Sequence, residues 1–168
     1  MELIGVRLEV PANAPVMMLR EQAAPHRVLP VYIGTPEASA IHFAREGVVP
    51  PRPLTHDLLV TVISELGAKL TEVVITEVRD HTFFAELHLR RGDLDLSISC
   101  RPSDAVALAV RTDVPIFASN AVLDEAAHLP EEDADEVDET DAEAEADDIL
   151  DEFRSFIDQV NPEDFGQS

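Results

Sequence analysis

The segment that decides the fold prediction is LDLSISCRPSDAVALAVR, which runs from Leu94 to Arg111. Leu94, Leu96 and Ile98 alternate with polar residues, and this period of two is typical of a half-buried β-strand. Residues 103–111 are mostly small and apolar, as in a short helix that packs closely against its neighbours. A strand that runs directly into a buried helix predicts a domain in which both kinds of structure share one core.

The same order of apolar, acidic and turn positions occurs 67 residues earlier in the chain. Glu37 then aligns with Asp104, and the apolar positions of the strands coincide, although few residues are identical. We therefore predict an α+β fold made of two duplicated β3-α2 units, residues 1–67 and 68–128, that form one pseudo-twofold domain. The predicted strands are 2–10, 15–21, 28–33, 70–79, 82–90 and 93–99, and the predicted helices are 36–46, 56–66, 103–111 and 120–127.

Two packing details follow from these patterns. A predicted hairpin turns at Asp80-His81, and the strand after it is expected to place Asp95 opposite His88. The helix over residues 56–66 carries an apolar stripe at helical spacing, which is typical of a face that packs on a core. That stripe consists of Leu58, Leu59, Val62, Ile63 and Leu66.

The charge of the chain is concentrated near its C-terminal end. The formal net charge is −22, and residues 124–168 hold 19 of the 34 acidic residues but only one of the 12 basic residues. These residues contribute −18, which leaves −4 for residues 1–123. We predict an acidic disordered linker at 129–146, followed by an amphipathic helix and tail at 147–168. The apolar stripe of that helix, within 149–160, is expected to bind the core, a second copy or another protein.

The most specific local feature is PRPLTHDLL, which spans residues 51–59. Arg52 supplies a guanidinium, Thr55 a hydroxyl, His56 an imidazole and Asp57 a carboxylate at the start of a predicted helix. Together these groups could bind a phosphate and transfer a proton. The alternative is structural, because Thr55 could cap the helix and Asp57 could interact with its positive end.

A second candidate feature is Arg101-Pro102-Ser103-Asp104, where a predicted strand becomes a helix. Arg101 could bind phosphate there, and Asp104 could hold a divalent metal ion. A pseudo-twofold axis would bring Glu37 and Asp104 together, and paired carboxylates are what two-metal phosphodiester hydrolysis requires. The alternative is again helix capping, with a structural pair between Arg101 and Asp104.

Several classes of protein are not supported by the sequence. No set of Cys and His residues has zinc-site spacing, and there is no Walker loop, no dinucleotide-binding glycine motif and no Gly-x-Ser-x-Gly. No apolar run is long enough to cross a membrane, and no signal peptide is recognisable. A single cysteine, Cys100, excludes an intrachain disulfide and fits the cytoplasmic location that we expect.

Six motifs occur in an order that is characteristic of one known family. They are LPVYIG at 29–34 with Glu37-Ala38, PRPLTHDLL at 51–59, TFFA at 82–85, RPSDAVALAVR at 101–111, PIF at 115–117 and VLDEA at 122–126. Together they resemble the bifunctional nuclease domain family over about residues 1–127. The resemblance implies an α+β domain that forms homo-oligomers and has DNase and RNase activity. One departure is Ser99, because the family often has an acid there that could bind metal.

The resemblance implies a nuclease that hydrolyses phosphodiesters of RNA and DNA with the help of Mg²⁺ or Mn²⁺. Among the motif residues we expect His56, Asp57, Asp104 and Glu37 to be catalytic, with Asp104 and Glu37 as the metal ligands. We expect phosphate to be bound by Arg52, Thr55, Arg101, Ser103 and Arg111. The alternative is a non-catalytic, oligomeric interaction or regulatory module, which the net charge and Ser99 favour. A third reading is a sensor for an anionic metabolite.

Overall fold

The chain has a mixed α+β fold in a computed structural model that describes residues 1–9 and 13–130. The predicted helix within 149–160, and all but the first two residues of the predicted acidic linker, lie outside the described residues. No helix within the described ranges is long and apolar enough to cross a membrane. In chain order the elements are β1 (Glu2–Glu9), β2 (Ala14–Arg20), β3 (Val28–Tyr32), α1 (Thr35–Arg45), α2 (Thr55–Glu65), β4 (Lys69–Arg79), β5 (Thr82–Arg91), β6 (Leu94–Cys100), α3 (Pro102–Thr112), β7 (Ile116–Ala118) and α4 (Asn120–Ala126).

The first sheet contains β1, β2 and β3, which pair in chain order and run antiparallel. Met17 lies opposite Val31, and Leu19 lies opposite Leu29 on the neighbouring strand. All four side chains are buried, so this face of the sheet contributes one side of the hydrophobic core.

The second sheet has the strand order β6-β5-β4-β7. β4 and β5 form the predicted hairpin, and its turn residues Asp80 and His81 have φ values of 48° and 59°, as a type I′ turn requires. β7 is parallel to β4 and was not predicted, because a three-residue strand is too short to show a period. It gives the second sheet one strand more than the predicted β3-α2 unit contains.

The predicted register between β5 and β6 is wrong by two residues. His88 lies opposite Ser97, whereas Asp95 lies opposite Arg90 and forms an ion pair with it at 2.6 Å. The reason is the turn, which is centred between Gly92 and the residue after it rather than one position earlier. Gly92 has a φ of 59°, a conformation that glycine adopts without strain.

β6 is also more exposed than its alternating pattern predicted. Leu94 and Ile98 are 48% and 47% exposed, although both belong to the apolar positions that were expected to face the core. β6 is an edge strand of the sheet, and α3 packs on β4 and β5. An alternating pattern indicates which side of a strand is apolar, but the position of the neighbouring helix decides how much of that side is covered.

The centre of the core is α3, which contacts both other long helices and the second sheet. Ala105, Val106, Ala107 and Leu108 are fully buried, and Ala109 is nearly so. The small alanine side chains allow the backbones of neighbouring elements to approach, which confirms the close packing expected from the sequence. Two helices from the first half of the chain, α1 and α2, therefore pack against α3.

The helices α1 and α2 begin one residue earlier than predicted. Gly34 precedes α1 and Leu54 precedes α2, so Thr35 and Thr55 are the first helical residues, and neither caps its helix through its side chain. At α2 the carboxylate of Asp57 instead accepts a hydrogen bond of 2.8 Å from the backbone N–H of Leu54. This bond satisfies one of the amide donors that a helix start leaves unpaired.

The buried side of α2 shares only Ile63 with the predicted apolar stripe. His56 is buried, and Val60 and Ile63, at helical spacing from it, pack partly against the core. The predicted burial is wrong for the rest of the stripe, because four of its five side chains face away from this side of the helix. The exposed side chains are Leu58, Leu59, Val62 and Leu66.

Candidate functional site

Three predicted site residues meet where β6 becomes α3. Nε2 of His56 lies 3.1 Å from Oδ1 of Asp104, which joins the first turn of α2 to the first turn of α3. Arg101 immediately precedes α3, and its Nε donates a hydrogen bond of 2.8 Å to Oδ2 of Asp104. Nη2 of Arg101 donates a second bond of 3.1 Å to Oδ1. One carboxylate therefore holds an imidazole and a guanidinium side by side.

Glu37 joins this group from α1. Its Oε1 lies 2.7 Å from Nη2 of Arg101. Glu37 is the third residue of α1 and Asp104 is the third residue of α3, so the two aligned carboxylates meet at a single guanidinium. Glu37, His56, Arg101 and Asp104 are called the Arg101 cluster below.

The charges of the Arg101 cluster reinforce one another. Burial is the largest single influence on Asp104 and raises its pKa, but hydrogen bonds from Arg101 and His56 outweigh it, and the net pKa lies below the usual range. The pKa of Arg101 is raised further above its ordinary value by Asp104 and then by Glu37. At neutral pH the Asp104 carboxylate is therefore ionised and Arg101 is positively charged.

The neighbouring Cys100 has the opposite character. Burial, and next the negative charge of Asp104, raise the pKa of its thiol to about 11. A thiolate is the nucleophilic form of cysteine. The Cys100 thiol is therefore protonated at neutral pH and is not a candidate nucleophile of this cluster.

The imidazole of His56 is oriented by Asp104. Because the carboxylate is ionised and can only accept, Nε2 carries the proton of this hydrogen bond in neutral His56. Nδ1, the other ring nitrogen of His56, forms no hydrogen bond with a described residue. The lone pair of Nδ1 is therefore not used by a described residue and can accept a proton.

Asp57 and Arg111 form a separate pair further along α3. Nε of Arg111 donates a bond of 2.6 Å to Asp57, while its Nη1 donates to the carbonyl oxygens of Ala40 at 3.0 Å and Ala107 at 2.9 Å. The Arg111 side chain is only 9% exposed. The bond from Arg111 is the main cause that lowers the pKa of Asp57. Arg111 thus connects α1, α2 and α3.

This pair does not face the same ligand as the Arg101 cluster. Arg111 follows Asp104 by seven residues on α3, which is about 10 Å along a helix axis. The donors of Arg111 that point to Asp57, Ala40 and Ala107 are already used within the protein. The geometry therefore favours a structural role for Arg111 and Asp57 over phosphate binding and catalysis.

The remaining predicted phosphate ligands, Arg52, Thr55 and Ser103, differ in exposure. Arg52 and Thr55 are exposed, and Arg52 forms no ion pair with a residue in the described ranges. Ser103 is 5% exposed and lies in the first turn of α3. Of these three residues, Arg52 is the one whose charge is available to an anion in solution.

The predicted metal ligands do not fit a metal ion in this arrangement. Arg101 lies between Glu37 and Asp104, where its guanidinium already balances both carboxylates. Among residues 1–9 and 13–130, no three Asp, Glu, His or Cys side chains are arranged to hold a metal ion. In this arrangement Arg101 occupies the place of a metal ion between the two carboxylates, and dependence on Mg²⁺ or Mn²⁺ stays a prediction.

The family model of the bifunctional nuclease domain matches residues 17–131. This chain belongs to the bifunctional nuclease domain family. The matched range contains every residue of the Arg101 cluster and both residues of the pair formed by Asp57 and Arg111. An uncharacterized protein of Mycobacterium tuberculosis is 45% identical over 163 residues, which are 97% of this chain and 95% of that protein.

Plant members of the family are more distant and longer. Bifunctional nuclease 2 of Arabidopsis thaliana is 29% identical over 112 residues, which are 64% of this chain and 34% of the plant protein. Bifunctional nuclease 2 of Oryza sativa subsp. japonica is 30% identical over 115 residues, which are 67% of this chain and 35% of the rice protein. The similarity to proteins named as nucleases therefore covers about a third of their length.

Sequence reasoning missed one residue of the site in this bifunctional nuclease domain. Gly34 precedes α1, and a Cβ atom built on it would overlap Oε2 of Glu37. Glu37 reaches Arg101 with its carboxylate lying over the bare Cα of Gly34. In the sequence Gly34 is only the last residue of the LPVYIG motif, because nothing in the local pattern shows which side chain lies against it.

Proposed function

We propose that this bifunctional nuclease domain is a phosphodiesterase that cleaves RNA and DNA at the Arg101 cluster. The observation that carries the proposal is the Asp104 carboxylate, which contacts both the His56 imidazole and the Arg101 guanidinium. An acid–base group beside a fixed positive charge is what hydrolysis of a phosphodiester needs. The family membership and the names of the plant relatives support the same class of reaction.

Three residues of the cluster, Arg101, His56 and Asp104, have distinct roles in this proposal. Arg101, whose side chain is 64% exposed, binds a phosphate oxygen and balances the charge that develops in the transition state. His56 removes a proton from the attacking water through Nδ1. Asp104 is a positioning residue, because it fixes the orientation of His56 and stabilises the imidazolium that forms. Arg52 offers a second positive charge for the nucleic-acid backbone.

A nuclease assay on purified full-length protein tests this proposal. We expect cleavage of single-stranded RNA and DNA, compared in Mg²⁺, in Mn²⁺ and in EDTA. The double variant His56→Ala, Asp104→Ala should lose at least about 100-fold in rate, which is the usual contribution of a general acid–base group. The matched control is His42→Ala, Asp93→Ala, because both of these residues are exposed and lie outside the cluster.

The outcomes of this assay are distinct. Equal cleavage by the double variant would refute the assigned site and would indicate contamination or another centre. Loss of cleavage in EDTA, with recovery in Mg²⁺ or Mn²⁺, would support the predicted metal dependence and would require Arg101 to move from between the two carboxylates. Retained cleavage in EDTA would support a mechanism that uses the side chains of the cluster without a metal ion.

We also infer that the two halves of the domain are duplicated units. In each half, three antiparallel strands pair in chain order, namely β1-β2-β3 and β4-β5-β6, and two helices follow. Glu37 and Asp104 hold the same position in the first helix of each half. Under this inference β7 is an addition to the second unit.

The cytoplasm stays the predicted location of the protein.

Self-association through α2 is a second candidate function, consistent with an interaction module. It is favoured by the exposed apolar side of α2, where Leu58 and Leu66 are 55% and 65% exposed and Val62 lies between them. Contiguous apolar surface of this kind commonly marks a protein interface. Light scattering should show a homo-oligomer that the variant Leu58→Glu, Val62→Lys converts to a monomer. A monomeric parent protein would refute this candidate.

Binding of a protein partner by residues 149–160 stays a prediction.

A further inference from the structure

The Arg101 guanidinium is already occupied along the edges that a phosphate would use. Its Nε and one Nη2 proton point to Asp104, and Nη2 also contacts Glu37. Nη1 has no partner among the described residues. Arginine binds phosphate most strongly through two parallel N–H groups on one edge. The edge left for a phosphate consists of Nη1 and Nη2. Glu37 contacts Nη2 and therefore lies on this edge.

Gly34 is what allows Glu37 to lie there. A Cβ on Gly34 would overlap Oε2 of Glu37 and come within 3.4 Å of its Cδ. The backbone of Gly34 has φ −78° and ψ 157°, which any residue adopts, so the position needs the missing side chain and not the conformational freedom of glycine. A Cβ on Gly5, by comparison, would make only an ordinary contact of 3.5 Å with Arg45.

We propose that Glu37, seated against Gly34, is an internal competitor for the phosphate that Arg101 binds. Glu37 occupies the Arg101 edge in the free protein and must move away before the phosphate can bind through two N–H groups. Arg101 is 64% exposed whereas Glu37 is 14% exposed, so the phosphate approaches from the solvent side of the guanidinium. Glu37 and Gly34 thus set the affinity of the site for nucleic acid. This role rests on the proposed function, because it assumes that Arg101 binds phosphate.

Binding measurements without cleavage test this role. Fluorescence anisotropy of a labelled single-stranded RNA ten-mer would be recorded in EDTA at fixed ionic strength, with inorganic phosphate as a competitor. We expect Glu37→Gln to raise the affinity about fivefold, the factor that loss of a partly exposed charge pair of about 1 kcal/mol represents. Gly34→Ala should raise it about threefold without changing the net charge, because the new methyl group displaces the carboxylate.

Two matched controls separate this effect from general ones. Glu46→Gln removes the same charge at the far end of α1, and Gly5→Ala adds the same methyl group in β1. Both are expected to change the affinity by less than about 1.5-fold, because neither touches Arg101. Far-UV circular dichroism should show that all of these variants keep the parent fold. If Gly34→Ala fails to fold, Glu37→Gln with its control decides the question.

The outcomes also distinguish this inference from the proposed function. An unchanged or lower affinity in Glu37→Gln, or an equal rise in Glu46→Gln, would overturn the competitor role of Glu37. Arg101→Gln should weaken binding of both RNA and phosphate. If it does so while Glu37→Gln has no effect, only the competitor role fails. If Arg101→Gln binds as the parent does, phosphate binding at Arg101 fails, and the competitor role fails with it.

Discussion

Replacement of Arg111 by methionine is expected to destabilise the fold without removing a ligand contact. Arg111→Met keeps an unbranched apolar side chain of similar length in the same channel, so the packing of the stem is largely retained. The change removes the bond to Asp57 and the two bonds to the carbonyl oxygens of Ala40 and Ala107. The bonds to Asp57 and Ala40 tie α2 and α1 to the central helix, and the bond to Ala107 lies within that helix.

The expected loss is about 3 kcal/mol of the free energy of unfolding. Asp57 is 31% exposed and can be rehydrated, so the loss of its charged partner contributes only about 1 kcal/mol. The two carbonyl oxygens each lose a hydrogen bond, which adds about 1 kcal/mol for each of them. The sum is a large fraction of the roughly 5–15 kcal/mol that stabilises a typical domain.

Urea unfolding followed by far-UV circular dichroism measures this loss, because the chain has no tryptophan and only one tyrosine. The matched control is Arg101→Met, which should cost less than Arg111→Met, because the Arg101 side chain is 64% exposed and bonds no backbone carbonyl oxygen of the described residues. In RNA binding the order should be reversed. Arg101→Met should weaken binding, whereas Arg111→Met should leave it unchanged. A loss below about 1 kcal/mol in Arg111→Met, together with weakened RNA binding, would refute the structural role and would support the phosphate contact that the sequence predicted.

Three further predictions concern the core, the thiol and acid stability. Leu108→Ala should cost about 2–5 kcal/mol in urea unfolding because Leu108 is fully buried, whereas Leu66→Ala on the exposed side of α2 should change stability by less than about 0.5 kcal/mol. Cys100, with a pKa of about 11, should react slowly with iodoacetamide at neutral pH and faster once urea unfolds the chain; equal rates would contradict this. Because the folded pKa of Asp57 is lowered, the bond to Arg111 stabilises the fold above the unfolded value of about 3.9 and is lost as the pH falls through the folded value. Asp57→Asn should therefore show a smaller loss of stability between pH 6 and pH 3 than the parent, as measured by urea midpoints.

The order of secondary structure was largely predictable because it depends on local patterns. The turn at Asp80-His81 and the helix ends before Gly47 and Gly67 follow from residues that favour positive φ values. The exceptions were β7, which is held by its pairing with β4, and the register of β6, which depends on a turn position one residue away.

The candidate site was predictable in its members but not in their contacts. Local motifs selected His56, Arg101 and Asp104, and the internal repeat added Glu37. These four residues do lie together. The same reasoning placed Arg111 beside a phosphate, because the chemistry of an arginine does not reveal whether its donors are used within the protein. Three backbone and side-chain acceptors, contributed by α1, α2 and α3, use them.

The sequence by itself determined the type and order of the longer elements and their ends to within about one residue, since these depend on residue spacing and turn chemistry. Only the tertiary structure decided which side of α2 is buried and which carboxylates surround Arg101. It also showed that Glu37 leaves no room for a side chain at position 34. The physical reason is that periodicity describes one segment at a time. Burial and charge pairing arise when segments far apart in the chain pack together, and α3 is where they do so in this domain.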